Sequence, residues 1–81
     1  MLQNLKEKKF VVGTKQTLKA IETGHALTVF LAEDAGEYMK NKIRQACENK
    51  QIEIESVDTM EELGSSCGIS RSAVTAAIIN L

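Results

Sequence analysis

Three polar side chains in one short stretch, Lys15, Gln16 and Lys19, are the first residues whose types and spacing suggest chemistry. They follow Gly13 and Thr14 in the segment GTKQTLK. Lysine can donate to the O6 and N7 atoms of guanine or to a phosphate, and glutamine can donate and accept together on a base edge. A second stretch, LGSSCGISRSA, places Gly68, Ile69, Ser70, Arg71 and Ser72 in succession. An exposed isoleucine among hydroxyls and an arginine suits a surface that covers an unstacked base and grips its phosphates. Spacing alone leaves both open. Any surface helix carries Lys and Gln outside, and a helix-ending Gly is often followed by an apolar residue that folds back.

Catalytic chemistry finds little support. His25 is the sole histidine and sits in a probable turn beside Gly24, with no nucleophile or metal ligand at recognisable spacing. Cys47 and Cys67 are the only cysteines. They form no CxxC or Cys/His pattern and are expected to be reduced, buried thiols. No cofactor, metal site or enzymatic activity is expected.

The elements that must hold these residues follow from patterning. Eighty-one residues, 43% hydrophobic and 26% charged, fit one small domain with a core of Leu, Ile, Val and Ala. A short basic helix is expected over residues 2–9. Lys9 to Val12 reads as a strand stopped by Gly13. Thr14 is the expected N-cap of a helix ending near Gly24. Leu27 to Ala32 reads as a central strand covered on both faces. A helix over about 37–49 should pack through Tyr38, Ile43, Ala46 and Cys47, with Lys40, Lys42, Arg44 and Lys50 in solvent. Residues 51–57 alternate as a strand with one wet face. Thr59 with Glu62, or Asp58 with Glu61, can cap a further helix that stops at Cys67 and Gly68. Gly64 inside it suggests close packing or backbone approach. Val74 to Asn80 supplies a last strand. Four strands alternating with four helices predict an α/β fold, a three-layer α/β/α sandwich around a central four-stranded mixed sheet.

At about 100° per residue, Leu18 and Ile21 fall together, flanked by Thr17 and Ala20, and should face the sheet. Lys15, Gln16, Lys19 and Thr23 fall on the opposite side, near the helix end whose unpaired N–H groups favour anions. The formal net charge is only −1, which argues against coating nucleic acid by bulk attraction. The basic residues are nevertheless concentrated early (Lys6, Lys8, Lys9, Lys15, Lys19), and most acids lie from Glu33 onward. An undistorted A-form major groove would exclude such a helix, so an RNA target would have to be bent or opened.

GTKQTLKAIETG, LTVFLAEDA and MEELGSSCGISRSAVTAAII, in that order and spacing, resemble the kink-turn-binding ribosomal protein family. This is the superfamily of the archaeal L-seven-Ae and eukaryotic L-thirty-e ribosomal proteins, and the likeness is greatest to its small bacterial YbxF-type members. The resemblance implies an α/β/α sandwich that binds kink-turns, RNA helices bent at a bulge followed by tandem sheared G·A pairs. In the family, an Asn-Glu-x-x-Lys helix contacts guanine edges. Lys15 stands at the Asn position, Gln16 at the Glu position, and Lys19 matches the Lys. The family's loop that shields the bulged nucleotide maps onto Gly68, Ile69, Ser70 and Arg71, with Ser72 at its edge. The implied partner is structured RNA with a kink-turn, in ribosomal RNA or a regulatory mRNA leader, with ribosome association possible. A protein-interaction module on the same fold is the alternative, with the acidic stretch from Glu53 to Glu62 meeting a basic partner. Lacking a signal-peptide-like or membrane-spanning apolar run, the chain is expected in the cytoplasm, with no membrane partner and as a monomer.

Overall fold

A computed structural model describes residues 9–80, in which four strands and three helices alternate. They are β1 (Phe10–Val12), α1 (Thr14–Glu22), β2 (Ala26–Ala32), α2 (Glu37–Lys50), β3 (Ile54–Val57), α3 (Met60–Ser66) and β4 (Thr75–Ile79). The helix expected over residues 2–9 lies outside the described residues.

The sheet order is β1-β4-β2-β3. β4 runs antiparallel to both neighbours, pairing Val11 with Ala77 and Val29 with Ala77, while β2 and β3 are parallel with Leu31 opposite Ser56. The sheet is therefore mixed, as expected. Side-chain alternation in the two central strands divides the core. Phe30, Ala32 and Ala76 pack with Leu63 and Cys67 on the α3 face. Val29, Leu31 and Ala77 pack with Ala20, Ile21, Ile43 and Cys47 beneath α1 and α2. These two apolar layers, one on each side of the sheet, complete the three-layer sandwich.

Small residues make the central strands narrow enough for this. Ala76 and Ala77 are wholly buried, and the Thr75 hydroxyl, equally buried, donates to the Phe30 carbonyl at 2.6 Å. In β2, Ala26 and Val29 to Ala32 are buried; Leu27, expected within the covered run, is exposed beside a register shift against β4. Both cysteines are buried and free. Burial pushes the Cys47 thiol up to about 11 and raises that of Cys67.

Two expectations for α2 are corrected. Tyr38 is not on the packed side but 76% exposed, with the Lys42 ammonium 6.0 Å from its ring centre. Lys40 is not in solvent but buried. Its ammonium donates to the Glu33 carbonyl at 2.8 Å and lies 3.1 Å from the Glu37 carboxylate. Those two partners satisfy the charge, so the aliphatic stem can be covered.

Strand direction decides where the functional segments meet. β1, β2 and β3 all point the same way, and β4 runs against them. The starts of α1, α2 and α3 and the segment entering β4 therefore gather at one end of the sheet.

Candidate nucleic-acid interface

At that end the two polar segments come together. The Gly13 N–H donates to the Thr75 carbonyl at 2.9 Å, joining the start of α1 directly to the start of β4, just past the loop. Gly13 occupies the N-cap position with φ 102° and no side-chain cap bond, and its carbonyl accepts the first helical N–H, from Thr17, at 2.9 Å. This corrects the assignment of Thr14 as the cap. Leaving the strand and entering the helix in a single residue demands a positive φ, which glycine alone adopts without strain. Thr14 becomes the first helical residue.

Lys15, Gln16 and Lys19 are all exposed, whereas Thr17, Ala20 and Ile21 are buried, so the helix splits as its periodicity predicts. Leu18 is half-buried in the layer between α1 and the sheet. No carboxylate among the described residues pairs with Lys15, Lys19 or Arg71. Their charges remain available to an anion.

The loop is built with comparable definition. Gly68 has φ 79° and its N–H donates to the Ser65 carbonyl at 3.0 Å, while the Ile69 N–H reaches back to the Gly64 carbonyl at 3.1 Å. These two bonds close α3 in a left-handed terminal turn. Ile69 is 38% exposed rather than folded into the core, and Ser70, Arg71 and Ser72 are exposed beside it. Gly64 allows the main chain of Arg71 to lie against α3, where a Cβ would meet the Arg71 carbonyl. The expected close approach at Gly64 is therefore present.

Between this loop and α3 lies an open cleft of about 470 Å³ bordered by Met60, Ile69 and Arg71, with the carboxylates of Asp34 and Glu61 and the Ser65 hydroxyl on its walls. Two apolar side chains, Met60 and Ile69, with acceptors and donors around them can take a flat polar ring. The part of Asp34 was not foreseen. Its carboxylate accepts the Met60 N–H at 2.8 Å, at the same helix end where Thr59 accepts from Glu62 at 3.0 Å. The signal was present in the AED block, but the partner lies 26 residues away and is supplied only by the fold. Of the two capping alternatives for α3, Thr59 with Glu62 is the one that forms.

Nearby, Glu33 accepts from the Ser56 hydroxyl at 2.5 Å, with Lys40 and Arg44 at 3.9 and 3.7 Å. The Ser56 bond holds its carboxyl below the usual 4.5 against desolvation, with smaller lowering contributions from Lys40 and then Arg44. This network ties β2, α2 and β3 together. No group of three or more His, Cys, Asp or Glu side chains among the described residues is placed to hold a metal, and no described helix is long and apolar enough to cross a membrane.

Fold and site together define a small α/β sandwich that presents a helix start and a glycine-closed loop from one end of its sheet. The chain belongs to the ribosomal protein L7Ae/L30e/S12e/Gadd45 family, whose model matches residues 1–81. It is 52% identical over 69 residues to an RNA-binding protein of Caldanaerobacter subterraneus subsp. tengcongensis, covering 85% of this chain and 84% of that one. It is 38% identical over 71 residues to the RNA-binding protein YbxF of Geobacillus stearothermophilus, covering 88% and 87% of the two chains. Among solved structures it is similar to a Bacillus halodurans protein, with a TM-score of 0.88 at 26% identity over 98% of this chain and 83% of that one.

Proposed function

We propose that this protein is a non-enzymatic RNA-binding protein that recognises and stabilises kink-turns. The observation that carries the reading is the placement at one end of the sheet of two segments whose cations have no carboxylate partner among the described residues, Lys15, Gln16 and Lys19 on α1 and Gly68 to Ser72 in the loop, joined through Gly13 and Thr75. The names borne by the relatives support the RNA partner.

In this reading the start of α1 enters a groove opened by the bend, Lys19 and Gln16 meet guanine edges, and Lys15 meets an edge or a phosphate. Apart from its chain neighbours, no atom of the described residues lies within 4 Å of where a Cβ on Gly13 would sit, so with Thr14 it can admit a backbone at close range. Ile69 covers the bulged base while Arg71, flanked by Ser70 and Ser72, holds the phosphates beside it. Because the protein binds only the bent form, it draws a flexible junction into that form. The 81 residues act as one RNA-binding domain, a monomer working in the cytoplasm on ribosomal RNA or a structured mRNA leader.

A gel-shift comparison tests this. An RNA with tandem G·A pairs beside its bulge should bind far more tightly than the same RNA with Watson–Crick pairs in their place; equal binding would overturn the reading. Lys19→Ala should weaken binding to the kinked RNA by about 1–3 kcal/mol.

A further inference from the structure

The polar flank of α1 continues past Lys19 to the turn at Gly24 and His25. The helix closes in a left-handed turn: Gly24 has φ 79°, its N–H donates to the Ile21 carbonyl at 3.2 Å, and the His25 N–H donates to the Ala20 carbonyl at 3.0 Å. His25 is thus fixed beside the last turn of the helix by its own backbone.

Its ring is fixed as well. The Thr23 hydroxyl oxygen lies 2.9 Å from the Lys19 carbonyl and 3.0 Å from His25 Nδ1. A hydroxyl has one proton and a carbonyl has none to offer, so the hydroxyl donates to Lys19 and Nδ1–H donates to the hydroxyl. With the hydroxyl proton directed to the Lys19 carbonyl, this arrangement favours the Nδ1–H tautomer of the neutral imidazole. Nε2, on the other edge of the ring, has no hydrogen-bond partner among the described residues and is an acceptor.

His25 and Thr23 share the rim of a cavity of about 200 Å³ with Gln16 and Lys19. Its floor is apolar, formed by Val11, Ala20 and Ile79 where α1 overhangs the edge of the sheet. We infer that this cavity receives one unpaired nucleotide of the bound RNA. The base lies on the apolar floor with its polar edge toward Gln16 and Lys19, and a ribose hydroxyl or exocyclic amino group donates to His25 Nε2. The inference rests on the kink-turn reading. It extends the footprint because the residues assigned to guanine contact are also the mouth of this cavity, so RNA that reaches them lies across it. A flat ring with a polar perimeter matches an apolar floor bounded by donors and an acceptor.

The test is an abasic scan of a kink-turn RNA, replacing its unpaired nucleotides one at a time, with dissociation constants measured at one salt concentration for the wild-type protein, His25→Ala and Thr23→Val. For the wild type, one replacement at an unpaired nucleotide other than the base covered by the loop should weaken binding about tenfold. His25→Ala should itself bind the intact RNA about tenfold more weakly and be nearly insensitive to that replacement. Thr23→Val, which releases the ring while keeping side-chain shape, should lose about threefold. Unchanged affinity and an unchanged scan in a folded His25→Ala protein would overturn the proposal while leaving the kink-turn reading intact. A wild-type protein that fails to prefer kinked RNA would overturn both.

Discussion

The main-chain carbonyl of Arg71 occupies the space that a side chain on Gly64 would need, so the loop that carries Arg71 is seated against α3 by the absence of one methyl group. The nearest atoms are backbone, which cannot rotate away. Gly64→Ala must therefore displace the loop or the helix. Although alanine is the better helix former by about 1 kcal/mol, the overlap should reverse the sign, lowering stability by about 1–3 kcal/mol in urea denaturation. RNA affinity should fall in the same variant, read by gel shift under conditions where it remains folded.

The two caps of α3 should be separately measurable. Thr59→Ala removes the acceptor for Glu62 and should cost about 1 kcal/mol. Asp34→Ala removes the acceptor for Met60 and should cost a similar amount. It should also loosen the loop exit, since the Met60 carbonyl holds the Ala73 N–H at 2.9 Å. Urea melts of the two single variants and the double variant give both costs and any coupling between them.

How much of this was legible beforehand varied with the range of the interaction. The start of α1 next to Gly13, the Thr59 cap and the terminal turn at Gly68 depend on residues a few positions apart, and their chemistry is readable locally. The exchange of roles between Gly13 and Thr14 was not, because the chain must leave the strand and enter the helix within Gly13 while its N–H stays bonded to the neighbouring strand at Thr75. Lys40 looked like a solvent charge because its main-chain acceptor, Glu33, belongs to another element. Tyr38 looked like core because helical spacing sets it broadly on the side of Ile43, Ala46 and Cys47, yet the first turn of α2 turns it outward. Strand order, with β4 inserted between β1 and β2, follows from no local pattern. The two site segments were identified by residue type and resemblance, but their meeting at one end is a property of topology.

Glu33 makes acid stability testable. Its carboxyl is held below 4.5 in the folded chain, chiefly by the Ser56 hydroxyl. The unfolded chain therefore takes up the proton at higher pH than the folded one. The stabilisation is complete above about 4.5 and is lost as pH falls through the lower, folded value. Ser56→Ala should reduce that loss. The drop in urea midpoint between about pH 6 and pH 3 should be smaller in the variant than in the wild type.

Arg71 has no carboxylate partner among the described residues, which separates its RNA contribution from any structural one. Arg71→Ala should leave thermal stability within about 0.5 kcal/mol. It should reduce the slope of log affinity against log salt by about one, as expected for a lost phosphate contact. A variant with an unaltered slope would remove Arg71 from the phosphate-binding set.

The hydrogen bond from Gly13 to Thr75 has a consequence for measurement. It ties the two proposed contact surfaces to adjoining strands of one sheet, so on the kink-turn reading the protein acts as a calliper whose jaws are held by the sheet. Most of the work of fitting would then fall on the RNA. Across a panel of junctions that keep the same contacted nucleotides, differences in affinity would then register how much free energy each junction spends to reach the bent shape. The domain would serve as a gauge of RNA flexibility as well as a ligand for it.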